Sequence, residues 1–194
     1  MHILFIIDPI EKLSAYKDSS VAMMRALLAR GHQLSYCLQG DLYLLNGKVL
    51  TSAQGIEIPE DVDLHQAHWW RLSGPRVEAE LAQFDAVLMR KDPPFDLEYL
   101  YSTHLFDLAA AQGARIFNSG SALRNHPEKL AIAEFPEYTA ATLVSRSMDR
   151  LRAFYDEHQD IVIKPLDGMG GSGIFRVKPN CLLYTSDAAD DSLR

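Results

Sequence analysis

Short apolar runs alternate along the chain with segments whose apolar residues fall three and four positions apart. The first run, residues 2–8, is continuously apolar and rich in isoleucine. It predicts a buried parallel strand ended by Asp8-Pro9. A polar loop from Glu11 to Asp18 follows. Val21, Met24 and Leu28 then fall at helical spacing, with Asp18-Ser19-Ser20 as N-cap candidates and Gly31 as the stop. His32 to Leu38 predicts a second strand. Strand, helix and strand in this order imply a right-handed crossover in an α/β sheet. Leu42–Leu45, Asn46-Gly47 and Lys48–Leu50 read as a hairpin, Asn-Gly being the favoured tight-turn pair. Residues 51–83 give no clear pattern, and Trp69-Trp70 could open a strand or cover a sheet edge. Ala86–Met89 is a further strand. Leu97, Leu100, Tyr101, Leu105, Leu108 and Ala109 trace a helical face closed by Gly113, and Arg115–Asn118 reads as a short strand.

The pattern changes near 119–126, where Ser119-Gly120-Ser121 and Asn125-His126-Pro127 are loop- and cap-like. Beyond it, Glu128-Lys129-Leu130-Ala131 should open a helix. Thr142–Val144 reads as a strand, Leu151–His158 as a helix and Ile161–Pro165 as a strand. A glycine-rich loop and a second apolar run from Ile174 follow. After Lys178 the patterning is lost. Residues 180–194 resemble the in-frame translation of a common sequencing-library adapter. They are expected to be a non-native tail, the alternative being a genuine but poorly patterned terminus.

Composition narrows the function classes. The chain has 194 residues, 47% of them hydrophobic, enough for a packed core. A net charge of −7 argues against nucleic acid as the main partner, since phosphate backbones need a basic face. Only two cysteines occur, Cys37 and Cys181, which suggests a reducing compartment without a disulfide framework. With no leader of signal-peptide type and no apolar stretch near ~18 residues, no membrane association is expected and the cytoplasm is the expected location.

Candidate chemistry concentrates in residues 161–175. Here Lys164 precedes Asp167, Gly168, Met169, Gly170, Gly171, Ser172 and Gly173. Glycines let several N–H groups converge on one anion, usually a phosphate, and the lysine adds charge. A flexible hairpin with a solvated lysine would carry the same residues. The loop lacks the closing Gly-Lys-Ser/Thr of the common phosphate loop, and a strand follows it where a dinucleotide fingerprint opens a helix. Arg90-Lys91 at the end of a buried strand, with Lys17, Ser19 and Ser20 after the first strand, occupy the end of the sheet where α/β folds bind ligands. A solvated turn and ordinary capping are the plainer readings of these residues, and a surface lysine that of Lys129. His65 and His68 are metal-spaced but have no third ligand in view.

Three separated stretches, Gly40-Asp41-Leu42-Tyr43, Met89–Asp96 (Met-Arg-Lys-Asp-Pro-Pro-Phe-Asp) and Ile163–Gly171 (Ile-Lys-Pro-Leu-Asp-Gly-Met-Gly-Gly), closely resemble the prokaryotic glutathione synthetase family. So do Ile7-Asp8-Pro9 and Lys17-Asp18-Ser19-Ser20. The resemblance runs from residue 1 to about 178. It implies an α/β fold: an N-terminal pre-ATP-grasp, Rossmann-like parallel-sheet domain over 1–122 that binds substrate, then an incomplete ATP-grasp α+β subdomain over 123–179. It implies ATP-dependent ligation of γ-glutamylcysteine and glycine through an acyl phosphate. By matching position, Lys129 and Lys164 resemble phosphate-contacting lysines, and Asp167 to Ser172 a mobile lid. Arg90 resembles a residue that meets the dipeptide or acyl phosphate, with Ser19 and Ser20 beside it. The family implies Mg²⁺ or Mn²⁺ as well, with ligands expected beyond residue 178. No metal ligand set is therefore assigned in this chain, and the 194-residue polypeptide is expected to be inactive alone. Full-length members are expected to be homo-oligomers. Another ATP-grasp carboxylate–amine ligase, or a non-catalytic nucleotide- or anion-binding module, stands as the alternative.

Overall fold

In the computed structural model of the chain, residues 1–168 and 170–179 are described. The backbone divides into two units, Met1–Asn125 and the residues from His126 onward.

The first unit is built on a seven-stranded mixed sheet. Its centre is parallel: β1 (His2–Ile6) lies between β2 (Gln33–Cys37) and β6 (Ala86–Met89), and β7 (Ile116–Phe117) continues beyond β6. Helices α1 (Ser19–Leu28) and α2 (Leu97–Ala111) connect these strands. An antiparallel wing, of which only the hairpin at its outer edge was expected from sequence, extends the other side. It consists of β3 (Leu42–Leu45), β4 (Lys48–Glu57) and β5 (Arg71–Glu80). The hairpin forms at Asn46-Gly47, both at positive φ, but β4 runs on to Glu57. Residues 54–56 pair with β2, and residues 50–57 pair with β5 around an irregularity at Gln54. β5 was unreadable in sequence because Gly74-Pro75 interrupts it and its side chains are almost all exposed, so no alternation develops.

The continuous apolar run of β1 has a direct cause. Ile3, Phe5 and Ile7 point to one face of the sheet, against Val21 and Met24 of α1, with Leu34, Tyr36 and Trp69. Leu4 and Ile6 point to the other, against Val87, Met89 and Phe106, with Cys37 and Val49. A strand covered on both faces has no polar side to show. Trp69 lies two residues before β5 and is 2% exposed, so it belongs to a core rather than to a strand or an edge cover. A helix missed in sequence, α3 (Gly120–Asn125), packs on α2 where a loop was expected. Arg124 donates to Asp107 at 2.5 Å and to Thr103 Oγ1 at 3.0 Å across that contact.

The second unit contains α4 (Met148–His158), capped by Ser147, and an antiparallel pair, β8 (Ile161–Ile163) and β9 (Phe175–Val177). Two sequence expectations fail here. The helix expected from Glu128 is a turn followed by 3₁₀ segments at Ala131–Glu134 and Pro136–Tyr138, because Pro136 disfavours α geometry at Phe135 and offers no N–H. Thr142–Val144 is irregular rather than a strand. No described strand pairs with it, and a lone extended segment has nowhere to place its hydrogen bonds. The adapter-like tail lies outside the described residues. Among the described residues no helix is long and apolar enough to cross a membrane.

Candidate functional site

Two groups of chemically competent side chains are assembled, one in each unit. In the first, parallel pairing of β1 with β6 sets Ile6 beside Met89, so both strands end at the same level. Arg90 is the first residue past β6, and its N–H donates to the Ile6 carbonyl at 2.8 Å. Its side chain crosses to the start of α1. There Nε donates to Ser20 Oγ at 3.1 Å and Nη2 to Ser19 Oγ at 2.7 Å. Asp18 fixes those serines by capping α1, accepting from the N–H groups of Ser20 at 2.7 Å and Val21 at 3.0 Å. A guanidinium has five N–H donors, and Nη1 has no protein partner among the described residues. That leaves Arg90 able to accept a further carboxylate or phosphate.

Sequence reasoning named Arg90, Ser19 and Ser20, which the structure brings into contact, but not their surroundings. Asp8, two residues past β1, accepts from the Asp92 N–H at 2.8 Å and pairs with Lys91 at 3.8 Å. Lys91 also donates to the Asp92 carbonyl at 2.9 Å and lies 5.8 Å from the Tyr99 ring centre. Burial, then the neighbouring Asp8 and Asp18 charges, raise the Asp92 carboxyl above its ordinary pKa. The available signal was register: the apolar runs of β1 and β6 each end in charged residues, Asp8 and Arg90-Lys91, and parallel pairing of the two strands places those residues side by side. Both signs of charge therefore meet at the carboxyl end of the parallel strands, the usual ligand position of an α/β sheet.

In the second unit, β8 delivers Lys164 to solvent at the start of the glycine loop. Gly170, Gly171 and Gly173 all take positive φ, which explains their residue type. Pro165 forms the floor: a Cβ on Gly168 would lie 2.8 Å from Pro165 Cγ, and one on Gly173 3.2 Å from the same atom. Lys129 Nζ donates to the Gly168 carbonyl, and its side chain is only 17% exposed. The structure thus joins Lys129 to the loop, although the helix expected to carry it is absent. Asp167 and Ser172 are exposed on the loop; Met169 lies outside the described residues. At the base, Asp160 accepts from Arg176 Nε at 2.9 Å and Nη2 at 2.8 Å, closing the β8–β9 pair. His65 stacks on Tyr16, and no group of three or more metal-ligating side chains occurs among the described residues.

The family model for the prokaryotic glutathione synthetase N-terminal domain matches residues 1–124, and that for its ATP-grasp domain matches residues 128–184. The chain belongs to the prokaryotic glutathione synthetase family. It is 59% identical over 197 residues to glutathione synthetase of Bordetella parapertussis, with all of this chain and 62% of that protein covered. Against the Ralstonia nicotianae glutathione synthetase the identity is 51% over 177 residues, covering 91% of this chain and 53% of the relative. The chain thus spans less than two thirds of the length of these synthetases. Among solved structures, D-cycloserine synthetase DcsG is similar at a TM-score of 0.53 and 15% identity, over 91% of this chain and 50% of that one. A RimK domain ATP-grasp protein from Sphaerobacter thermophilus gives 0.50 and 16%, over 100% of this chain and 57% of that one. These two likenesses concern the fold: an α/β sheet domain and part of an ATP-grasp domain.

Proposed function

We propose that the chain supplies the dipeptide-binding and phosphate-binding elements of an ATP-dependent carboxylate–amine ligase that joins γ-glutamylcysteine to glycine. The observation that carries this reading is the clasp of Arg90 by Ser19 and Ser20 at the carboxyl end of the parallel strands. It holds one guanidinium edge still and leaves the other open to a carboxylate. Asp8, Asp18 and Asp92 beside it offer the opposite charge, which suits a zwitterionic peptide. The donor set of the second unit fits a polyphosphate: Lys129 tethered to the loop, Lys164 exposed at its start, and loop glycines at positive φ, a conformation that allows successive N–H groups to face one anion. Bound there, ATP supplies the phosphoryl group that makes a carboxylate reactive towards an amine. Lys129 and Lys164 offset its charge, and residues 167–172 cover it. Their contribution is positioning and electrostatic, which is most of what phosphoryl transfer asks of a protein. In this reading residues 1–122 form the substrate domain and residues 123–179 the phosphate-binding part. Mg²⁺ would serve the phosphates through ligands not assigned among the described residues. The cytoplasm is the corresponding location.

Because the chain spans 62% of the Bordetella relative, binding is a sharper test than turnover. Titration calorimetry with γ-glutamylcysteine and with ATP should give two independent isotherms. A charge-assisted hydrogen bond contributes about 1.5–3 kcal/mol, so Arg90→Ala should weaken dipeptide binding roughly 10- to 150-fold and leave ATP unaffected. Lys164→Ala should do the converse. ATP binding with no dipeptide binding would favour a nucleotide-binding module. Preference for a different amino acid or peptide would favour another ATP-grasp ligase.

A further inference from the structure

Beside the Arg90 clasp stands a hydroxyl that neither group of side chains uses. Tyr99 lies in the first turn of α2 and is 6% exposed. Its backbone is fixed by the α2 cap, its N–H donating to Asp96 Oδ1 at 2.9 Å. Its ring centre lies 4.9 Å from that of Phe95 and 5.8 Å from Lys91 Nζ, which pairs with Asp8. Three residues along α2, Ser102 Oγ accepts from Gln39 Nε2 at 3.0 Å and donates to the Glu98 carbonyl at 2.9 Å. Gln39 and Asp8 each stand two residues past the paired Cys37 and Ile6, so this bond ties the start of α2 to the same carboxyl end of the sheet. The ring is held, but its hydroxyl is not: Tyr99 Oη has no hydrogen-bond partner among the described residues. A buried phenol ordinarily finds one. Among the described residues only Thr51 Oγ1 is both wholly buried and unpartnered, so Tyr99 Oη reaches solvent. Burial raises the phenol above its ordinary pKa, Arg90 opposes this, and Asp8 and Asp92 add to it. The hydroxyl is therefore a protonated donor at neutral pH, set among the charges that end β1 and β6.

On the dipeptide reading of the Arg90 clasp, we propose that Tyr99 Oη donates a hydrogen bond to the same dipeptide carboxylate that Arg90 receives, which makes Tyr99 a substrate-binding residue. A carboxylate has two oxygens and more acceptor sites than one guanidinium edge fills. The other nearby groups cannot complete it. Asp8 and Asp92 only accept when ionised, and Lys91 is engaged by Asp8 and by the Asp92 carbonyl. Tyr99 adds a donor without adding charge. Because Phe95 and the α2 cap already fix its ring, little side-chain freedom is lost on binding. A site that hydrogen-bonds one substrate group also rejects analogues lacking it, since its own polar atoms would then be left unpaired. Tyr99 thereby contributes to selection of the dipeptide as well as to its affinity.

The test is Tyr99→Phe in the whole chain, which keeps the ring and removes the hydroxyl. Calorimetric titration with γ-glutamylcysteine should show binding weakened roughly tenfold or more, with the ATP isotherm unchanged. Tyr101→Phe, on the outer side of the same helix and 67% exposed, should leave both isotherms as they are. The thermal transition of Tyr99→Phe should stay in place or rise, because the hydroxyl lost has no partner within the protein. Two analogues then identify the contact: γ-glutamylcysteamine lacks the cysteinyl carboxylate, and 4-aminobutanoylcysteine lacks the glutamyl one. The penalty of Tyr99→Phe should vanish with one of them, the one missing the carboxylate that Tyr99 and Arg90 share. Unweakened γ-glutamylcysteine binding by Tyr99→Phe would overturn the proposal while leaving the Arg90 reading intact. So would a penalty that persists with both analogues, or one accompanied by a lowered transition, since either would assign the hydroxyl to the fold. A parent chain that binds no dipeptide would overturn the Arg90 reading and this role together.

Discussion

Gly120 is the tightest point between α2 and α3, and replacing it with alanine pits two effects of opposite sign against each other. Alanine is favoured over glycine in a helix by about 1 kcal/mol. The added Cβ, however, would lie 2.7 Å from Asp107 Oδ1 and 3.0 Å from the Thr103 carbonyl carbon, with the carbonyl oxygen nearer still. Ordinary contact begins near 3.4 Å. The Asp107 carboxylate could swing away, but the Thr103 carbonyl belongs to α2 and moves only with the helix. Overpacking of this kind costs about 1–3 kcal/mol or more. Separating the helices also strains the Arg124 bonds to Asp107 and Thr103, at about 1 kcal/mol each. The steric side wins, for a net loss of about 2–4 kcal/mol. Tryptophan fluorescence reads this unit alone, since both tryptophans, Trp69 and Trp70, lie in it. At roughly 3–5 °C per kcal/mol for a unit of this size, the transition should fall by about 6–20 °C. Gly40→Ala, where nothing lies within 4 Å of the added carbon, should shift it little. Adding Asp107→Ala to Gly120→Ala should not restore stability, because the backbone clash remains. A Gly120→Ala transition within 2 °C of the parent, or rescue by the second substitution, would refute the reasoning.

Burial pushes the Cys37 thiol up to about 12, so iodoacetamide at pH 8 should leave it unmodified until urea unfolds the chain; rapid native labelling, read by peptide mass, would contradict the burial. Burial, outweighing the nearby Asp85, holds the His2 imidazole below its ordinary pKa, and His2 Nε2 lies 2.9 Å from Ser35 Oγ. The unfolded chain then takes up this proton first. His2 should therefore contribute stability in full above pH about 6.5 and lose it as the pH falls through its lowered native pKa. His2→Gln should flatten that part of the curve, and an unchanged slope would count against it. The Asp85 carboxyl is held below its ordinary value, first by the His2 backbone N–H, so its contribution persists to lower pH and is lost only through the carboxylate range. Removing the α1 cap with Asp18→Ala should cost about 0.5–2 kcal/mol in urea unfolding and loosen Ser19 and Ser20, weakening dipeptide binding too; Asp18→Asn should retain most of both, and equal damage by the two would show that charge rather than capping matters.

Legibility in the sequence followed the density of local signal. The glycine loop, the β1–α1–β2 start and helix α2 could be read because periodicity, caps and turn residues agree there. Arg90, Ser19 and Ser20 stood out as candidates for the same reason, each being the first polar group past a buried strand or at the start of a helix. The misses have physical causes. Glu128 to Ala131 has helical residues, but Pro136 downstream and the anchoring of Lys129 to Gly168 leave the segment in short turns. Thr142–Val144 has strand residues but no partner. β5 has partners but no pattern, because pairing along β4, rather than burial of its side chains, makes it a strand.

The chain by itself determined which segments are strands buried on both faces, where α1 and α2 start and stop, and that lysine and glycines converge at residues 164–173. These are local consequences of side-chain period, capping chemistry and the conformational freedom of glycine. Tertiary structure alone decided the rest. Parallel register between β1 and β6 brings Asp8 to Lys91 and Asp92, and lets Arg90 reach Ser19 and Ser20, some seventy positions away. Packing against the sheet and α3 decided which side of α2, a helix with apolar residues on both sides, is left in water. Contacts between residues far apart in sequence leave no period in the chain, because only folding sets the distances on which they depend.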